Sequence, residues 1–399
     1  MLLKNVLLGT QKVDIEIDGN KFGKIVPNTD EAPAQVAIFP AFYNTHNHAP
    51  MTLVRGYGDD KPLMQWLQEY IWPYEDKLTP ADIHKGSDIA MREMVSTGSV
   101  FFSDMYFNIE ETIDTVVKYG MRAAIGITIM ETHSKVVEDQ KKDFINHWSD
   151  PTGGRIQLTV APHAIYTVGT EKLIMATDMA RANGMKLHIH ISETRKEIED
   201  CLKEHGTTPV RYLDKIGLLG PDVIAAHCVH VDREEWDILA KRGVTVAHCP
   251  CSNFKLGSGR FPYELAIASG CRITLGTDGA SSNNNLDMHE EMKFAALMAK
   301  AVTAREDGTL DNFGNPSLLP APEILKWATR NGAEAFGIDG GEIAEGKLAD
   351  AILVDLSDIA LNPHDGGSRL VSNWVYAAGN RCIKDVICDG KLIMKNRII

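Results

Sequence analysis

Eight short apolar runs, separated by longer amphipathic stretches between about residues 35 and 280, constrain this chain more than any other feature. They are VAIFPAFYNTH (36–46), SVFFSDMY (99–106), AAIGITIM (123–130), IQLTVAPHAIY (156–166), KLHIHIS (186–192), DVIAAHCVH (222–230), VTVAHCP (244–250) and CRITLGTDG (271–279). Strands that are apolar throughout, rather than alternating, belong to parallel sheets covered on both faces. Between them, PADIHKGSDIAMREMVSTG (80–98) and TEKLIMATDMARANG (170–184) read as helices, the second stopping at Asn183-Gly184. Eight such units predict an α/β fold, a closed (β/α)8 TIM-type barrel over 36–341, with an open doubly wound sheet as the alternative. The chain ends read differently. Residues 1–35 carry a turn at Asp18-Gly19-Asn20, and 342–399 hold AILVDL and a hairpin signal at Asp389-Gly390. Neither end can build a core alone, so 1–35 and 342–399 are expected to combine into one small β-sandwich domain.

The 399 residues, 44% hydrophobic and 24% charged, suffice for a barrel of ~250 residues with that appendage. A formal net charge of −13 argues against nucleic acid as a partner, since phosphates need cations. No run approaches the ~20 apolar residues of a membrane span. The opening MLLKNVLLGTQKVDIEIDGN turns acidic too soon for a secretory signal. Seven cysteines with no export signal point to reduced thiols in the cytoplasm. Self-association into a homo-oligomer is left open.

Several runs end in a histidine or an aspartate: His46 and His48, His163, His190, His227 and Asp278. In a barrel these ends share one mouth, where active sites form. Buried polar groups need partners, and a shared metal ion serves several at once. The alternation in His46-Asn47-His48 points both imidazoles the same way, within reach of one ion at the ~2.0–2.1 Å of a Zn–N bond. In HIHISE, His190 is the preferred ligand because it lies nearer the strand end, and His188 is the core histidine. Glu193 can overhang the ion as a proton carrier. Asp278, in GTDGASSNNN, completes a His3Asp set with a position open for water, although it could instead cap the following helix. His227 reads as a second base, with direct ligation as the other reading. This donor set accepts Zn2+, Fe2+ or Mn2+, with zinc preferred.

In this order the motifs resemble those of the amidohydrolase superfamily, and most closely the methylthioadenosine/S-adenosylhomocysteine deaminases. The matching stretches run from NTHNHAPMTLVRG (44–56) through FFSDMYF, APHAIY, HIHISET, AAHCVH, CSNFKLGSG (251–259) and LGTDGASSNN to GEIAEGKLADAILVDL (341–356). The resemblance implies that His46, His48, His190 and Asp278 are metal ligands. It implies Glu193 as the acid/base and His227 as the histidine beside the attacking water. It further implies that Glu75, in WPYEDKL, binds ribose hydroxyls, and that His163 and Trp66 contact the substrate, although Trp66 reads equally well as core. Binuclear relatives usually bridge two metals with a lysine after the fourth strand. APHAIY has none, so one metal is expected. Relatives acting on S-adenosylhomocysteine often carry an arginine after the third strand, where GITIMETHSKVVEDQ (126–140) offers only Lys135.

The implied activity is hydrolytic deamination of an adenine nucleoside: 5′-methylthioadenosine, S-adenosylhomocysteine, adenosine or 5′-deoxyadenosine. Asp278 and His227 would take the water proton, and Glu193 would protonate the ring nitrogen and help ammonia leave. Another amidohydrolase activity, on guanine, cytosine, a pterin or a triazine, is the competing enzyme reading. A non-catalytic binding subunit would be expected to lack a ligand, and none is missing. Cys249 and Cys251, in HCPCSNF, lack the Pro-Cys-x-x-Cys of cytidine-type zinc deaminases and read, with His248, as barrel wall.

Overall fold

The computed structural model describes residues 1–131, 144–301 and 314–399. The chain enters through three antiparallel strands, β1 (Leu2–Leu8), β2 (Gln11–Asp18) and β3 (Lys21–Pro27). The apolar run 36–46, read above as one strand, is two. β4 (Val36–Pro40) lies parallel to β1 in this terminal sheet, whereas β5 (Phe42–Asn47) opens the barrel. The ladder to β1 ends at Ala37, and Pro40, which has no N–H to give, is the last residue of β4.

Seven further parallel strands follow: β6 (Ser99–Tyr106), β7 (Arg122–Ile129), β8 (Ile156–Pro162), β9 (Lys186–Ile191), β10 (Val223–His227), β11 (Thr245–His248) and β12 (Arg272–Leu275). Their order in the sheet is their order in the chain. Every residue of β6 and β7 is buried, which is why these runs are apolar without alternation. β12 meets β5 through Thr45, whose hydroxyl donates to Leu275 O at 2.8 Å, and through the Asp278 N–H, which reaches His46 O at 3.0 Å. The sheet is thus nearly closed.

The chain returns to the terminal sheet in β13 (Ala351–Asp355), β14 (Ile383–Cys388) and β15 (Lys391–Met394). The sheet is one seven-stranded mixed layer, β15-β14-β13-β4-β1-β2-β3. Its two wings share a buried cluster in which Val13, Ile15 and Phe22 join Ala351, Leu353 and Ile387. Residues 342–399 are not all strand. The helix Ser368–Tyr376 buries Leu370, Trp374 and Val375, and Trp374 stacks 5.2 Å from Phe39. Strand-like composition hid it, because an amphipathic nine-residue helix and a short strand look alike in sequence.

A buried polar latch joins the two sheets. Arg122 donates from Nε to Asp350 Oδ2 at 2.9 Å and from Nη2 to Asp389 Oδ1 at 2.6 Å. Tyr43 donates its hydroxyl to the same Asp350 oxygen at 2.6 Å. Among the described residues, no helix is long and apolar enough to cross a membrane.

Candidate metal centre and active site

Parallel strands deliver their ends to one mouth, and there the polar groups meet. His46 lies on β5, His190 on β9 and His227 at the end of β10, with Asp278 three residues past β12. Asp278 Oδ1 lies 3.3 Å from His46 Nε2 and 3.2 Å from His48 Nε2. Two sets of potential ligand atoms, His46–His48–Asp278 and His46–His190–His227, each fall within 4.8 Å of one another and share His46. The structure therefore brings His46, His48, His190, His227 and Asp278 to one point. β12 can come this near only because position 276 is glycine: a Cβ there would lie 2.7 Å from His46 Cβ.

The second nitrogen of each ring fixes its orientation. Nδ1 of His48 faces Met105 O at 2.6 Å, Nδ1 of His190 faces His163 O at 2.7 Å, and Nδ1 of His227 faces Asn253 Oδ1 at 2.8 Å. Those oxygens only accept, so Nδ1 carries the proton and Nε2 presents a lone pair to the cluster. His46 Nδ1 pairs with His188 Nε2 at 2.8 Å, and His188 Nδ1 with Ser103 Oγ at 3.1 Å. His188 is thus a buried supporting residue. The buried His46 Nε2 has no hydrogen-bond partner. Imidazole nitrogens converging beside a carboxylate fit a divalent cation, which would displace the proton that His48 shares with Asp278.

Electrostatics agree. Burial pulls His46 down to about 4 and His163 to about 3. Burial would lower His48 too, but Asp278 beside it raises it to about 9. Burial would raise Asp278, yet the two imidazoles hold it well below the usual carboxylate range. Burial raises the Glu193 carboxyl above its ordinary value. The backbone at the strand ends is strained: Ser192 (φ 52°), His227 (φ 74°), Cys228 (φ 49°) and Asp278 (φ 60°) are all left-handed without being glycine. Such residues cost about 1–3 kcal/mol each and gather at functional sites.

A cleft opens on the cluster, with His48, His190, His227 and Asp278 in its lining. His163, Glu193, Glu75 and Trp66 all line it. Glu75 and Trp66 arrive on a helical segment, Leu63–Trp66, Leu67–Ile71 and Trp72–Glu75, whose middle turn is a π-helix of the kind found at functional sites. Trp66 is both cleft wall and core, since it is buried with Met51, Leu67 and Tyr106. His248 and Cys249 are buried wall residues, and the His248 ring meets the Tyr263 hydroxyl at 2.9 Å. Asp278 also takes the Gly279 N–H at 2.8 Å, so it caps its own turn while facing the histidines. Lys135, within residues 132–143 of the segment after β7, lies outside the described residues.

Four supporting residues were not picked out by the sequence reading. Ser252 donates to Asp278 Oδ2 at 2.6 Å, Asn253 holds His227, and Ser258 donates to Glu193 Oε1 at 3.1 Å. Glu197 accepts the N–H groups of Ser192 and Glu193, each at 2.8 Å. The motif CSNFKLGSG contains the first three and was the available signal.

Comparison with known proteins agrees with this architecture. Residues 37–393 match the amidohydrolase family profile. A 5-methylthioadenosine/S-adenosylhomocysteine deaminase of Pelotomaculum thermopropionicum is 43% identical over 91% of this chain and 81% of its own. A 5′-deoxyadenosine deaminase of Methanosphaera stadtmanae is 41% identical over 97% of this chain and 88% of its own. The zinc-bound crystal structure of an adenosine deaminase from Xanthomonas campestris superposes with a TM-score of 0.88 at 33% identity, covering 97% of this chain and 89% of that one. Barrel, mouth and profile together place the chain in the amidohydrolase family, a family of metal-dependent hydrolases. Within it, the chain is a hydrolytic deaminase.

Proposed function

We propose that the chain deaminates adenine nucleosides of the 5′-methylthioadenosine, S-adenosylhomocysteine, adenosine or 5′-deoxyadenosine type, yielding an inosine-type product and ammonia. The observation that carries this reading is a single cleft lined both by His48, His190, Asp278 and Glu193 and by Glu75 and Trp66. His46, His48, His190 and Asp278 would hold one divalent ion, with zinc best suited to the nitrogen-rich donor set and Fe2+ or Mn2+ also compatible. Such an ion, when bound, acidifies water toward neutral pH.

The chain's own groups handle the protons. The His227 Nε2 lone pair lies 3.8 Å from Glu193 Oε2, so base and acid face one another across the site. His227, with Asp278, accepts the proton of the attacking water. Glu193, whose carboxyl burial raises, donates to the ring nitrogen next to the amino-bearing carbon, which makes that carbon electrophilic. Left as a carboxylate, Glu193 regains the proton held by His227 and passes it to the departing amine, and the hydroxyl proton of the tetrahedral adduct then restores the Glu193 carboxyl. Glu75 on the cleft wall suits the ribose hydroxyls, and His163 the substrate's polar edge. Ammonia release across a panel of adenine nucleosides and free bases, with metal analysis of the same sample, tests the reading. Turnover confined to guanine, cytosine or a triazine would overturn the nucleoside assignment.

A further inference from the structure

The segment after β11 connects to all three proton-handling groups. Its helix Pro250–Lys255 carries Ser252 and Asn253 side by side, and Ser258 follows in the next turn. Ser252 holds Asp278, Asn253 holds His227, and Ser258 holds Glu193. All three are buried. The segment is braced internally, because the Ser258 N–H donates to Asn253 O at 2.8 Å. It is also braced from the loop after β10, where His230 Nε2 meets Ser258 O at 2.7 Å. Asn253 and Ser258 therefore move as one piece.

We infer that Asn253 and Ser258 are positioning residues that assign which atoms of His227 and Glu193 carry protons. The inference rests on the proton roles given to those two groups above. Asn253 Oδ1 can only accept, so it keeps the His227 proton on Nδ1 and turns the Nε2 lone pair toward the cluster. Ser258 gives its hydroxyl hydrogen to Glu193 Oε1, which leaves Oε2, the oxygen facing His227, as the one that takes and gives up a proton. Neither residue reaches the reacting atoms. Without Asn253, the two tautomers of His227 become comparable and one of them has no lone pair to offer. Without Ser258, the two carboxyl oxygens exchange roles freely. Ser252 differs, because Ser282 also donates to Asp278 Oδ2, at 2.9 Å, and backs it up.

The test compares Asn253→Ala, Asn253→Asp, Ser258→Ala and Ser252→Ala in the metal-loaded full-length enzyme. Loss of an orienting partner around such sites costs about 10- to 100-fold. Asn253→Ala and Ser258→Ala should lower kcat by that factor, with KM within about three-fold and with metal content and melting temperature unchanged. Ser252→Ala should fall by less than either. Asn253→Asp keeps an acceptor for Nδ1–H and should recover most of the lost kcat. In ¹⁵N-histidine-labelled protein, His227, assigned by difference against His227→Ala, should show a single tautomer in wild type and Asn253→Asp and an averaged one in Asn253→Ala. Full kcat in both alanine variants, loss of metal in step with activity, or Asn253→Asp no better than Asn253→Ala would overturn the inference. A wild type that prefers another ring defeats the nucleoside reading instead, and the kcat ratios on that ring still decide this one.

Discussion

Glu197 holds the backbone N–H of Glu193, four residues earlier in the chain, on Oε2 at 2.8 Å, while its other oxygen holds Ser192. The left-handed Ser192 (φ 52°) is thereby kept in place, and the proposed acid with it. Glutamine at 197 keeps one acceptor but turns a donor toward the other N–H. Glu197→Gln should lower kcat about 10- to 100-fold and retain its metal. Burial pushes the Glu197 carboxyl up to about 8, against the two N–H groups that lower it. The folded chain thus holds a proton that the unfolded chain, near its ordinary 4.5, has released, and this stabilisation fades as pH rises from about 4.5 to 8. In Glu197→Gln that slope, at most about 1.4 kcal/mol per pH unit, should disappear. Glu291, raised the same way to about 8, leaves a residual slope in both proteins. Urea unfolding at several pH values checks this, and parallel curves for the two proteins would refute it.

Glu193→Gln should keep its metal and lose ~10²-fold or more in deamination rate, because proton transfer contributes 10²–10⁴-fold. His190→Ala should lose metal and activity together. Elemental analysis should find about one divalent ion per active chain. Two ions, or a His190→Ala protein with both properties intact, would reassign the ligands.

Glu75 makes the substrate prediction. Removing one partner of a charged hydrogen bond costs roughly 1.5–3 kcal/mol, about 10- to 150-fold in kcat/KM. Adenosine-type substrates should therefore exceed their 2′-deoxy analogues by at least ~10-fold, and free adenine by more. Glu75→Ala should narrow that gap without touching the metal. Since residues 126–140, through and after the third barrel strand, hold no arginine, replacing the homocysteine tail by methylthio or hydrogen should cost little. Equal rates on adenosine and adenine would remove Glu75 from the site.

The Arg122–Asp350 pair should matter for stability and not for chemistry. Both side chains are almost wholly buried, at 4% and 0% exposure, so removing Asp350 leaves the Arg122 charge with Asp389 alone and Tyr43 without its acceptor. Asp350→Ala should cost about 3–5 kcal/mol in unfolding free energy. Its kcat at a permissive temperature should stay near wild type. A loss under ~1 kcal/mol would mean water enters the latch.

Strand phase made much of the site legible in the sequence. His46 and His48 share a side because side chains alternate along an extended chain, and β9 sets His190 against His188 by depth alone. The supporting residues were harder to see. Ser252 and Asn253 meet partners 26 residues away and Ser258 one 65 residues away, and a serine in a glycine-rich turn carries no mark of such a distant contact. Glu197 sits among charged neighbours in ETRKEIED, so its burial, at 4% exposure, is decided by the left-handed loop it holds and not by any local pattern. The split of 36–46 hung on Pro40, whose missing N–H counts only once β13 is known to lie alongside β4.

The placement of β4 between β1 and β13 has a consequence during synthesis. A ribosome must add the roughly 310 residues between Pro40 and Ala351 before β4 can gain its second neighbour, which takes roughly 15 to 60 s at 5–20 residues per second. Throughout that interval the nascent chain presents an apolar strand with one edge unpaired, next to the strand that delivers His46. Exposed edges of this kind recruit other chains. Chains stalled before residue 351 should therefore aggregate or engage chaperones far more than chains stalled after 394, a difference that ribosome-bound fractions can report.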